Sequence, residues 1–199
     1  MARPRKNEHI REDILDAGIE LLTQQGYHGT GLKALLDALN IPKGSFYHYF
    51  ESKEAFAAEA IEYYINRLLE QFDQLIARSG ETQPVATIRL AYTRMIQAMA
   101  AQGCEHGCLL GNMAAEVGSA GPAFQQALQR AFANWKRRFV PLLEKGQALN
   151  QIRRDIPADE LADIFWNAWE GAILRMRFEG HPQGLYRTLD TLLLHLFQP

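Results

Sequence analysis

The sequence predicts an all-α protein of about nine helices arranged in two parts. Apolar residues recur at steps of three and four along nearly the whole chain, and no run alternates in the manner of a strand. Short breaking stretches separate the periodic runs: Gly26, then "NIP", "SGETQP", "GSAGP", "RRDIP" and "GHP".

Taken in order, Ile10, Ile14, Ala17 and Leu21 mark an amphipathic helix from about residue 8, closed by Gly26. Leu32, Leu35, Leu36 and Leu39 mark a short second helix with Thr30 as its N-cap. After Asn40-Ile41-Pro42, a very short helix spans 43–49. Ser52 caps a long helix over 53–78, rich in alanine and glutamate in its first half. The pattern resumes after Pro84 to about Gln102. "GCEHGC" interrupts it, and helices follow over 109–117, 122–146, 158–179 and 183–197. The expected boundary falls inside the long helix after residue 52, giving 1–52 with a basic arm and 53–199.

A chain of 199 residues with 47% hydrophobic content can bury one or two real cores. The net charge of −2 gives no overall pull on nucleic acid, although Arg3, Arg5 and Lys6 make the start locally basic. No apolar run reaches about 18 residues, so no membrane span is expected. No apolar stretch follows the first cations, so no secretory signal is read, and the expected compartment is the cytoplasm. In that reducing setting Cys104 and Cys108 are expected as thiols.

The stretch "IPKGSFYHYFESKEAF" (41–56) packs four aromatic residues into five positions. On a helix, Phe46 and Phe50 share a face with Tyr49 beside them, while Gly44 and His48 point the opposite way, flanked by Tyr47 and Ser45. Phe46 and Phe50 are therefore core, set against Leu35, Leu39 and the first helix. The other face suits a groove. Gly44 allows close backbone approach, Ser45, Tyr47 and His48 can bond base edges or phosphates, and a tyrosine ring can pack on a thymine methyl. Two short helices joined by a tight turn are a helix-turn-helix. Lys43, Lys53 and Thr30 sit at helix starts, where free backbone N–H groups and added charge meet phosphates.

The segment "GLKALLDALNIPKGSFYHYFESKEAF" resembles the DNA-binding signature of the TetR family of bacterial repressors, with "KGSFYHYFESKEAF" its most specific part. The likeness covers roughly residues 10–60. It implies an all-α homodimer and DNA contacts by Thr30, Lys43, Gly44, Ser45, Tyr47, His48, Tyr49 and Lys53. It also implies release from DNA by a small-molecule or other stimulus acting in the C-terminal part. Asn40 stands where the family most often has glycine, and asparagine tolerates positive φ. Over residues 1–60 there are seven Lys/Arg and nine Asp/Glu, 7 − 9 = −2, so binding must rely on placement of cations, with the arm "ARPRK" adding contacts.

"GCEHGCLLGN" (103–112) admits three readings. Cys104 and Cys108 can be small buried residues. Cys108, after Gly107 and before a helix, can be a reactive thiol. Cys104, His106 and Cys108 can be metal ligands, although zinc wants four and no second cluster is visible. The G-C-L pattern is similar to a TetR branch that responds to electrophiles and oxidants through this cysteine. The resemblance implies a nearby basic residue, matched here by Arg175 or Arg177. A small-molecule pocket can coexist with these, among Tyr92, Met95, Met99, Phe124, Phe132, Trp135, Trp166 and Trp169.

The last two helices carry more apolar surface than one face needs, with Leu189, Leu192, Leu193 and Leu196 striping the final one, so they are expected to form a dimer bundle. Two-fold symmetry then requires a roughly palindromic operator. An enzyme built on Cys108 with His106 or His181 lacks an orienting acid, an oxyanion site and any phosphate loop. No catalytic residues and no cofactor are expected.

Overall fold

The computed structural model describes residues 6–116, 118 and 121–199, with side chains from residue 10. The basic arm therefore lies outside the described residues except for the backbone of Lys6, which opens the first helix. Among those described, the regular structure is entirely helical: α1 (Lys6–Gly29), α2 (Leu32–Leu39), α3 (Lys43–Tyr49), α4 (Lys53–Ser79), α5 (Pro84–Ala101), α6 (Leu109–Ala114), α7 (Pro122–Ala148), α8 (Ala158–Glu179) and α9 (Gln183–Thr191). The chain continues from α9 into a widened turn over Leu192–Leu196, closed by Phe197 N–H on the Leu192 carbonyl at 2.8 Å.

The chain forms two compact units. One comprises the chain through Asn66 together with Leu109–Ala131; the other comprises Arg67–Cys108 and Phe132–Pro199. Helices α4 and α7 each contribute to both.

The first unit is built around Ile14, Leu22, Leu35, Phe46, Phe56, Ile61 and Ile65, all buried, with Leu109, Met113 and Phe124 added from α6 and α7. Gly26 breaks α1 as its residue type predicts, at φ 74° and ψ 178°, and one further turn runs to Gly29. Gly18 lets α1 approach α4, since a Cβ there would lie 2.1 Å from Phe56 Cζ. A seven-residue helix such as α3 has no stability of its own. Phe46 anchors it, its ring 5.3 Å from Phe50 and 5.5 Å from Phe56.

The second unit buries Ile88, Tyr92, Ile96, Trp135, Phe139, Leu143, Leu161, Phe165, Trp169 and Met176. Its C-terminus is tied down by Arg153, whose backbone N–H donates to the Phe197 carbonyl at 2.8 Å and whose guanidinium donates to the Leu196 carbonyl at 3.2 Å.

Three expectations change. Helix α6 stops at Ala114, short of residue 117. The N-cap of α2 is Gly31, because the Thr30 side chain turns inward. Leu189, Leu192 and Leu193 are buried within the chain itself, so the leucine stripe is core. The exposed apolar residues near the C-terminus are instead Ile164, Leu174 and Phe178 on α8, with Tyr186 and Leu194 beyond.

Candidate functional site

The turn between α2 and α3 is closed by Asn40 in the left-handed region, φ 52° and ψ 43°. Its N–H meets the Asp37 carbonyl at 3.2 Å, and Ile41 N–H reaches back to the Leu36 carbonyl at 3.1 Å. This six-to-one bond satisfies carbonyls that the helix end leaves open. Pro42 then sets the extended entry to α3, where its fixed φ costs nothing.

On α3 the aromatics divide as their angular positions require. Phe46 and Phe50 are buried, and Gly44, Tyr47 and His48 are exposed, with Tyr47 at 50%. Ser45 and Tyr49 are half-buried between the two faces. A Cβ at Gly44 would meet nothing within 4 Å, so the space above it is open. Lys43 at the helix start lies 5.9 Å from the Tyr47 ring. The open face thus carries one backbone gap, hydroxyl and imidazole groups, and a cation beside them.

Lys53 and Thr30 each have a partner within the first unit. Lys53 opens α4, where Ser52 Oγ caps Ala55 N–H at 3.0 Å. Its ammonium, however, donates to the Tyr27 carbonyl and lies 4.4 Å from the Tyr27 ring. Burial pushes its pKa down, against the upward pull of Glu116. Thr30 is 2% exposed, with its N–H and hydroxyl both donating to the Gly26 carbonyl at 3.1 and 2.7 Å.

Around the cysteines the backbone is unusual. Gly103, Cys104 and Gly107 all have positive φ, at 87°, 64° and 74°. Both cysteines are free thiols and both are buried. Among the described residues no three His, Cys, Asp or Glu side chains are grouped so as to hold a metal ion, and Cys104, His106 and Cys108 are not brought together as such a group.

The basic candidates separate. Arg175 pairs with Glu179 one turn on, at 2.7 Å. Arg177 donates to the Glu105 carbonyl at 3.1 Å and packs so closely on Gly107 that a Cβ there would lie 2.8 Å from its Cδ. Arg177 therefore braces the loop that carries Cys108.

The thiol's own partner is a residue that sequence reasoning missed. Cys108 hydrogen-bonds Glu170 of α8, whose carboxyl is raised by burial and lowered in part by this bond. Tyr92 belongs to the same polar group. Its buried hydroxyl accepts from Trp135 Nε1 at 2.9 Å, and burial, with Glu170 and Cys108 nearby, raises it.

The aromatic candidates form one cluster with an exception. Tyr92 meets Phe165 at 4.6 Å and Trp169 at 4.7 Å, and Trp135 meets Trp166 at 4.7 Å. Phe132 stands 5.1 Å from Trp166, while Met95 and Met99 are half-buried on α5. Phe124 belongs to the other unit, where its ring meets Tyr27 at 5.1 Å. Phe139 and Phe165 are members that the sequence reading did not single out.

Comparison with known proteins matches both parts of the chain. Residues 14–60 match the family described as bacterial regulatory proteins, tetR family, and residues 84–192 match the tetracyclin repressor-like C-terminal domain. The chain is 38% identical over 185 residues to the transcriptional regulator AcuR of Cereibacter sphaeroides, spanning 92% of this chain and 84% of that protein. It is 31% identical over 183 residues to the HTH-type transcriptional repressor DhaR of Mycobacterium sp. (strain GP1), spanning 92% and 90%. The crystal structure of regulatory protein TetR from Rhodobacter sphaeroides superposes with a TM-score of 0.86 at 37% identity, covering 92% of this chain and 97% of that one.

Proposed function

Because this chain belongs to the TetR family of bacterial regulatory proteins, DNA-binding transcriptional regulators rather than enzymes, we propose that it represses transcription from a roughly palindromic operator as a homodimer. The observation that carries this reading is the open face of α3. Gly44, Tyr47 and His48 project from a helix too short to stand alone, pinned by a buried Phe46. Major-groove recognition needs such a face, with Lys43, Ser45 and Tyr49 at its margin for phosphates and adjoining bases. In this reading residues 1–52 bind DNA in the cytoplasm, with the arm assisting, and 53–199 regulate and dimerise. Repression as the direction of control is supported by the relative named as a repressor.

Dimerisation is supported by α8. Its exposed positions include Ile164, Asn167, Gly171, Leu174 and Phe178, spaced by three and four, with Phe178 77% and Leu174 61% exposed. An exposed stripe that carries Ile164, Leu174 and Phe178 wants a partner, and Gly171, open on that stripe, permits close helix approach. Selection of duplexes from a random DNA pool tests the whole reading. A recovered palindrome supports it, and absence of any enrichment refutes it.

For the inducer, the placement of Cys108 beside Glu170, whose carboxylate can take the thiol proton, supports a thiol sensor in which a soft electrophile adds to the sulfur and DNA is released. Arg177 holds the loop, and Tyr92 of the aromatic cluster lies near the thiol. Replacing Cys108 with serine should leave basal DNA binding intact and abolish release by a thiol-reactive maleimide. An unchanged response would leave the aromatic group around Tyr92 and Trp135 as the place to seek a reversible ligand.

A further inference from the structure

The corner between α1 and α2 poses a problem that its own residues do not solve. Gly26 interrupts the helix, and the turn that restarts over Tyr27–Gly29 opens with backbone N–H groups lacking helical partners. No Ser, Thr, Asp or Asn stands at residues 25–28 to cap them. The acceptor comes instead from Glu116, beyond α6. Its Oε1 accepts from Tyr27 N–H at 3.0 Å and its Oε2 from His28 N–H at 2.9 Å.

Gly26 makes room for this carboxylate, since a Cβ there would lie 2.0 Å from Glu116 Oε1. Two further bonds hold the corner. Asn112 Nδ2 donates to the Thr23 carbonyl at 2.9 Å, and the Lys53 ammonium donates to the Tyr27 carbonyl. The chain enters α2 directly from this corner, and α2 carries α3 through the Asn40 turn.

We propose that Glu116 is a positioning residue for operator binding: its carboxylate caps the Tyr27 and His28 amides from outside the helix and so sets the direction in which α2 and α3 are presented to DNA. The proposal rests on the DNA-binding reading above. A carboxylate on two free helix N–H groups is a charge-assisted bond that also satisfies the local dipole. Removing it leaves two amides to re-pair by moving the corner, and a small rotation there is carried into α3.

The test uses the full-length chain and the duplex that the unaltered protein selects from a random pool. Glu116→Gln keeps the side chain's size and loses the charge, while Glu116→Ala removes both acceptors. Both should stay folded by circular dichroism yet bind the duplex more weakly, with the loss about tenfold for alanine and smaller for glutamine. The slope of log affinity against log salt should not change, because the phosphate contacts are the same in number. Hydrogen exchange at the Tyr27 and His28 amides should accelerate in both variants.

Wild-type affinity in a folded Glu116→Ala, or unchanged exchange at those amides, would overturn the proposal. So would unfolding of the near-isosteric Glu116→Gln, since Glu116 would then hold the unit together rather than aim it. If the unaltered protein selects no duplex, the DNA-binding reading fails first, and the exchange measurement still reports whether Glu116 caps the corner.

Discussion

Tyr47 and Phe46 are chain neighbours with opposite expected roles, and substituting each separates recognition from folding. Tyr47 is 50% exposed, its ring edge-on to Phe46 at 5.5 Å. Truncating a half-exposed side chain should change stability by no more than about 0.5 kcal/mol. If the ring reads a base, Tyr47→Ala should cost about 1–3 kcal/mol on the selected duplex, roughly a 5- to 150-fold loss of affinity. It should cost little on a scrambled duplex. Phe46 is fully buried between Phe50 and Phe56, so Phe46→Ala should cost about 3–5 kcal/mol of folding free energy, a large share of what a domain of this size possesses. Fluorescence anisotropy on both duplexes, with thermal melting of each variant, reads the two quantities apart. Equal losses for Tyr47→Ala on selected and scrambled DNA would show that Tyr47 does not read bases. A lowered melting point in that variant would show that its ring is structural after all.

Three further predictions concern other parts of the molecule. Gly18→Ala should destabilise the first unit by about 1–3 kcal/mol through collision with Phe56 and lower the melting temperature; an unchanged melt would mean α1 and α4 separate freely. Phe178→Glu should shift the protein to monomer in sedimentation velocity without loss of helix content, and a dimer that persists would move the interface off this stripe of α8. Glu170 is raised above 4.5 by burial, so the folded state holds its proton more tightly than the unfolded chain does. Stability should therefore fall as pH rises from the unfolded pKa through the folded one. The melting temperature of Glu170→Gln should gain on that of the unaltered protein across that window and run parallel above it, and parallel curves throughout would dismiss a raised Glu170.

Local signals carried most of the fold. Gly26, the Asn40-Ile41-Pro42 turn, Ser52 and Pro84 each act on the backbone within a few residues, and helix ends fall near them. The division of α3 into a buried Phe46–Phe50 side and an open Gly44–Tyr47–His48 side follows from angular position alone. What eluded sequence reasoning is long-range. Glu116 meets the α1 corner across 89 and 88 residues, and no local pattern announces it. Glu170 reads as one more acid on a helix until folding brings the Cys108 thiol to it. Amphipathic spacing also reports that a residue is buried without saying by what. Leu189, Leu192 and Leu193 kept the expected pattern and found their partners inside the chain, leaving Phe178 and Leu174 outside. Thr30 has the chemistry of a cap, but the Gly26 carbonyl claims its hydroxyl first.

The first unit engages Arg11 and Lys53, two of its cations, internally. Arg11 pairs with Glu59 at 2.6 Å and lies 5.4 Å from the Phe50 ring, and Lys53 turns inward to Tyr27. Added to an excess of acids over residues 1–60, this should leave the proposed DNA-binding part with a weak general hold on phosphate. A bacterial chromosome offers millions of non-cognate sites that act as a sink for any strongly basic protein. A regulator that the bulk of the genome barely retains stays free in the cell. For the repressor proposed above, a small number of copies would then keep the operator occupied, and a modest dose of inducer would empty it.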